Sequence, residues 1–153
     1  MDEIDNTSMA VHEQFMRRCI ELARVARSRG NTPVGSIVVL SGKIVGEGME
    51  SLPAGDDITG HAEILACQAS VTNTGSKDLR HAALYSTAEP CFMCSYAIRQ
   101  CDVSLVVFGV ETPQIGGVTG EFPVLTAALS KLGPPPRIVG GVLEEECRGL
   151  WSR

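Results

Sequence analysis

A chain of 153 residues with 44% hydrophobic side chains and no internal repeats is sized for one domain with a conventional buried core, and residues 1–153 are expected to form it. Its net charge of −5 argues against tight, non-specific attraction to a polyanion such as duplex DNA or tRNA. Apolar runs such as 36–40 and 105–110 are far too short to cross a bilayer, and the acidic opening over 1–6 does not read as a secretory signal, so a cytoplasmic location with reduced cysteines is expected.

Ser8 is placed to N-cap a first helix whose apolar stripe runs Phe15, Cys19, Leu22, Ala23 and Ala26, ending at Gly30. Arg17, Arg18, Arg24, Arg27 and Arg29 read as its solvated face, because no aromatic residues interleave with them for base stacking. Strands over 34–40 and 43–49, joined by the tight turn Ser41-Gly42, make an antiparallel hairpin. A loop over 50–60 leads into a helix that opens at His61 and ends near Asn73. The third strand covers 82–87, after which Pro90 precedes a helix over 91–100. At 104–109 the fourth strand is an almost unbroken apolar run, the pattern of burial on both faces. Beyond a Gly-rich loop over 111–120, a helix is expected over 122–132, stopped by Gly133-Pro134-Pro135-Pro136. A fifth strand over 137–142 and a closing helix over 143–151 complete the order. This alternation implies an α/β fold, a three-layer α/β/α sandwich around one five-stranded mixed sheet, its fourth and fifth strands parallel because no hairpin joins them.

His61-Ala62-Glu63 and Pro90-Cys91-Phe92-Met93-Cys94 supply three soft metal ligands and one spare carboxylate. A structural zinc site fills all four tetrahedral positions with protein, whereas three ligands leave one for water. Cys91 and Cys94 share a face in a first helical turn, where the positive end of the helix favours the thiolate. His61 likewise opens a helix after Thr59-Gly60, so two helix N-termini converge on one Zn2+. Glu63 diverges from His61 and turns toward the open position, which suits a proton carrier. Either motif alone occurs by chance; together they match the signature of zinc nucleobase deaminases. Cys19, Cys67, Cys101 and Cys147 read as packed small hydrophobes.

With these motifs, Thr32-Pro33-Val34-Gly35-Ser36, Gly46-Glu47-Gly48, Val106-Val107-Phe108-Gly109 and Gly141-Val142-Leu143-Glu144-Glu145-Glu146-Cys147 extend the pattern along nearly the whole chain. It resembles the cytidine and deoxycytidylate deaminase superfamily, and within it the branch of bacterial tRNA adenosine deaminases, guanine deaminases and yeast-type cytosine deaminases. The resemblance implies Zn2+ on His61, Cys91 and Cys94, Glu63 as general acid and base, a homodimer, and hydrolytic loss of ammonia from an amino-substituted ring. Substrate contacts are expected from Glu50, the Ala62 backbone N–H and Glu89, with Val34, Phe122 and Trp151 as further candidates, the two aromatics as a cover over the ring. Phe92, Met93 and Ile98 are candidates for the dimer interface.

Three departures bear on the substrate. Where relatives carry an Asn two residues after Gly-x-Gly, this chain has Glu50, and an ionised carboxylate only accepts where an amide both donates and accepts. The loop after the fourth strand reads Glu111-Thr112-Pro113-Gln114 where a Lys is usual, and Glu144-Glu145-Glu146 stands where a basic stretch would contact RNA. The expected substrate is therefore a small aminated nucleobase, nucleoside or related heterocycle, guanine-like or isocytosine-like, whose N–H donors Glu50 reads. A tRNA adenosine is the alternative, and a non-catalytic zinc-stabilised interaction module the remote one; nucleic acid and membrane are not expected partners.

Overall fold

The Ser8 hydroxyl accepts from the Val11 N–H at 3.4 Å and caps α1 (Met9–Ser28), as expected. The computed structural model describes residues 8–51 and 57–152; the acidic opening and the middle of the 50–60 loop lie outside the described residues. One face of α1 buries Met16, Cys19, Ile20 and Ala23, while Arg17 pairs with Glu13 and Arg18 with Glu21 and Glu47 on its polar side. Strands β1 (Gly35–Leu40) and β2 (Lys43–Met49) are joined through Ser41 and Gly42 at φ 52° and 74°, the pair of positive angles that a two-residue hairpin with matching twist requires.

After α2 (Ala62–Thr74) come β3 (Ala82–Ala88), α3 (Phe92–Gln100), β4 (Leu105–Val110), β5 (Arg137–Val139) and α4 (Glu144–Gly149). The five strands lie in the order β2-β1-β3-β4-β5, with β1 antiparallel to both neighbours and β3, β4 and β5 mutually parallel. Because side chains alternate across a strand, the central strands serve two cores. Ile37, Val39, Ala83, Tyr85, Leu105 and Val107 pack with α1 and α4; Val38, Leu84 and Val106 pack with Ala66 and Cys67 of α2 and Ile98 of α3. This is the expected three-layer sandwich with a five-stranded mixed sheet. Among the described residues no helix is long and apolar enough to cross a membrane.

The helix expected over 122–132 does not form. These residues make separate turns, and Ala127 N–H to Pro123 O at 2.9 Å is a single helical-type bond. The reason is the buried Arg99 of α3, whose guanidinium donates to Val124 O at 2.9 Å, Ala127 O at 2.8 Å and Gly133 O at 3.0 Å. Carbonyls spent on a buried cation gain charge-assisted bonds that a further helical turn would not offer. The parallel β4–β5 crossover therefore needs length, not a helix. β5 is also shorter than expected, since Gly141 turns the chain at φ 79° and Leu143 at φ 51°, and α4 starts only at Glu144.

Candidate active site

Two glycines of β2 set the depth of the site. A methyl at Gly48 would lie 2.2 Å from Ala62 O and 2.7 Å from Ala66 N, and one at Gly46 would lie 2.4 Å from Ala66 O. The α2 backbone thus rests directly on the sheet, carrying His61, its N-cap, and Glu63 against the carboxyl end of β3. Cys91 is the N-cap of α3, one position before the helix, and Cys94 lies inside its first turn. Both ligand segments therefore sit at helix starts, as the spacing implies.

His61 Nδ1 lies 3.5 Å from Cys91 Sγ and 3.4 Å from Cys94 Sγ, and the three ligand atoms fall within 4.8 Å of one another. For a tetrahedral zinc with one imidazole and two thiolates, ordinary bond lengths put nitrogen and sulfur about 3.6 Å apart, so both nitrogen–sulfur separations match what the ion requires. The Cys94 thiol and the N–H groups opening α3 hold Cys91 down to about 5, inside the thiolate range at neutral pH. Cys94 is pushed up by the neighbouring Cys91 sulfur and by burial, so binding a metal there requires its proton to leave. Residues His61, Cys91 and Cys94 are the zinc ligands this site offers.

Glu63 is 4% exposed. Its Oε1 accepts from Ser86 Oγ at 2.7 Å, while Oε2 lies 3.4 Å from Cys94 Sγ, on the ligand side. Burial raises its proton affinity above the usual carboxylate range, with the Ser86 bond working the other way. Glu50, 7% exposed, has Oε1 buried with no hydrogen-bond partner. Burial, and next the charge of Glu63, push Glu50 up to about 7, and the Ala62 N–H partly offsets this.

These groups open into a cavity of about 580 Å³ whose walls include Val34, Glu50, His61, Glu63, Glu89, Cys91 and Trp151. Trp151 stands half-exposed at the mouth beside Glu144 and Arg148, which pair at 2.9 Å. Phe122 lies elsewhere: it is 62% exposed and meets Phe92 edge-on at 5.7 Å, and it is not part of the cavity wall. Glu89 is buried, its carboxylate accepting from Thr112 N, Val118 N, Thr119 N and Thr119 Oγ1. That clamps the loop supplying Thr112, Pro113 and Ile115 to the cavity. Sequence reasoning missed Ser86 and the loop clamps, although a polar residue inside a strand buried on both faces was the signal for Ser86.

A family model described as the cytidine and deoxycytidylate deaminase zinc-binding region matches residues 9–110. The chain is 33% identical over 144 residues to a tRNA-specific adenosine deaminase of Bacillus subtilis (strain 168), covering 94% of this chain and 88% of that one. It is 35% identical over 113 residues to the tRNA-specific adenosine deaminase of Aquifex aeolicus (strain VF5), covering 74% and 75%. A structure from a study of A-to-I editing by tRNA:A34 deaminases at the wobble position of transfer RNA superposes with a TM-score of 0.81 at 29% identity, over 90% of this chain and 98% of that one. The guanine deaminase of Bacillus subtilis does so with 0.63 at 33% identity, over 65% and 64%. The matched region contains both helix starts that gather the ligands, and the chain belongs to the cytidine and deoxycytidylate deaminase family, as a zinc-dependent hydrolytic deaminase.

Proposed function

We propose that this deaminase acts on an adenosine held in tRNA, exchanging the ring amine and water for a ring carbonyl and ammonia. The observation that carries the substrate is the similarity to a tRNA-specific adenosine deaminase over 94% of the chain. It outweighs the small-heterocycle expectation, which leaned on net charge and on three departures at Glu50, 111–114 and 144–146: a few positions are set there against a likeness along nearly the whole chain. When bound, zinc supplies an activated water for attack on the ring carbon that bears the amine. Glu63 would take the water's first proton on the oxygen facing the ligands and hand it to the neighbouring ring nitrogen, then carry the proton of the hydroxyl now on the ring carbon to the departing amine as the carbonyl forms. Its raised proton affinity suits a group that must hold a proton and release it within one turnover.

A second reading, deamination of a free guanine-like base, is favoured by Glu50. Its unpartnered Oε1, when ionised, calls for an N–H donor, and the ring of an adenosine offers only acceptors at N1, N3 and N7 besides the leaving amine. Ammonia release, scored across an adenosine-bearing anticodon stem-loop, adenosine, guanine and cytosine, separates the two. The stem-loop should lead, and Glu50→Asn should preserve that order. Preference for free guanine, abolished in Glu50→Asn, would install the second reading instead.

We further propose a cytoplasmic homodimer. Met93, Tyr96 and Phe122 are 37%, 54% and 62% exposed around α3, an apolar area suited to a second copy. Ile98, expected at that surface, is instead fully buried beneath α3 and cannot reach a partner.

A further inference from the structure

Ser86 lies in the middle of the sheet, fully buried, on the β3 face that looks toward α2. Its backbone is held from both sides, paired with Ser36 on β1 and Phe108 on β4, so its Cβ has little freedom to move. A buried hydroxyl needs an acceptor, and two serines meet in this register. They divide the acceptors between them: Ser36 Oγ donates to Tyr85 O at 2.7 Å, and Ser86 Oγ donates to Glu63 Oε1 at 2.7 Å.

The consequence falls on the other carboxylate oxygen. The last torsion of a glutamate is broad and two-fold, so an unanchored carboxylate rotates and offers either oxygen in any orientation. With Oε1 tied to a rigid central strand, Oε2 is left 3.4 Å from Cys94 Sγ, facing the cluster of His61, Cys91 and Cys94. We propose that Ser86 is a positioning residue for Glu63: its hydroxyl anchors one carboxylate oxygen so that the other is aimed at the ligand cluster and carries the proton. This rests on the reading that Glu63 is the proton carrier.

Ser86→Ala removes the anchor and only reduces volume, and Ser86→Thr retains the hydroxyl. Both are compared with wild type and Glu63→Gln in the full zinc-loaded chain, using an adenosine-bearing anticodon stem-loop and free guanine as probes. In Ser86→Ala, kcat should fall by about 10–100-fold, the usual effect of removing an outer-shell partner, with KM and zinc content unchanged. Ser86→Thr should recover most of the loss. The Glu63 side-chain signal in protein carrying 13C-carboxyl glutamate, assigned by its disappearance in Glu63→Gln, should move in Ser86→Ala. The inference is overturned if Ser86→Ala keeps kcat within twofold while Glu63→Gln is inactive, or if zinc is lost along with kcat. An active Glu63→Gln would instead remove the proton-carrier reading beneath it. Should neither probe turn over, the carboxyl signal decides: an unmoved resonance in Ser86→Ala refutes the anchor.

Discussion

Gly48→Ala tests whether the seat of α2 on β2 sets the catalytic geometry. The new methyl would stand 2.2 Å from Ala62 O and 2.7 Å from Ala66 N, both helix backbone atoms that cannot rotate away. Restoring van der Waals distance requires α2 to lift by about 1 Å, and the lift acts at the very turn that carries His61 and Glu63. Overpacking of this kind costs about 1–3 kcal/mol, which for a chain of this size lowers Tm by about 2–12 °C. A displacement of about 1 Å at reacting groups costs on the order of 100-fold in rate, so kcat should fall far more than stability implies. Gly42→Ala is the control: Gly42 is at φ 74° with nothing within 4 Å of a methyl, so the variant is strained yet remote from the site. Calorimetry, zinc content and kcat for ammonia release are measured on both. If Gly48→Ala keeps kcat within threefold of Gly42→Ala, the helix seat does not govern the site and the reasoning fails.

Glu63→Gln preserves the acceptor for Ser86 but cannot shuttle a proton; kcat should drop by about 10²–10⁴-fold with zinc retained, and melting should be unchanged or higher because a buried charge is gone. Residual activity within tenfold of wild type would contradict the role. His12, buried with Nδ1 2.8 Å from Tyr85 OH, is held below its ordinary 6.5 by burial. Protons therefore bind the unfolded chain more readily, and stability present above about pH 6.5 is lost as pH falls through the folded value. His12→Gln should flatten the dependence of Tm on pH between about 7 and 5, and an unchanged slope would refute it. Cys101 is half-buried and pulled down to about 7 by the thiol of Cys67, whereas Cys19, Cys67 and Cys147 are buried. Iodoacetamide should label Cys101 first in the zinc-loaded protein, Cys67→Ala should slow that labelling by about tenfold or more, and chelation should expose Cys91 as a second reactive thiol. Preferential labelling of any other cysteine in the zinc-loaded form would overturn the assignment.

The cluster of candidate zinc ligands was legible because coordination demands particular residue types at short, fixed spacing, and helix starts announce themselves through Gly60 and Pro90. The fourth strand was legible as buried on both faces for a similar reason, since such burial erases polar alternation in 105–110. What escaped was long-range. Ser86 meets Glu63 across 23 residues, and Arg99 reaches Gly133 across 34, with no local pattern linking either pair. The false helix over 122–132 shows the same limit, because apolar spacing there carried no sign of the cation that claims its carbonyls.

Glu50 and Glu89 looked equivalent as acidic substrate contacts, and hydrogen-bond capacity separates them. A carboxylate offers about four lone-pair sites. Glu89 fills four with Thr112 N, Val118 N, Thr119 N and Thr119 Oγ1, so its acceptor capacity is spent on shaping the loop that walls the cavity. Glu50 is as deeply placed but leaves Oε1 unmatched inside the cavity. An unmet buried acceptor costs about 1–3 kcal/mol until something donates to it, and in this cavity a ligand N–H can do so. Changes at Glu50 should therefore act on rings that carry an N–H beyond the leaving amine, altering turnover of a guanine-type base while the adenosine stem-loop keeps its lead, whereas changes at Glu89 should loosen the loop and weaken all substrates alike.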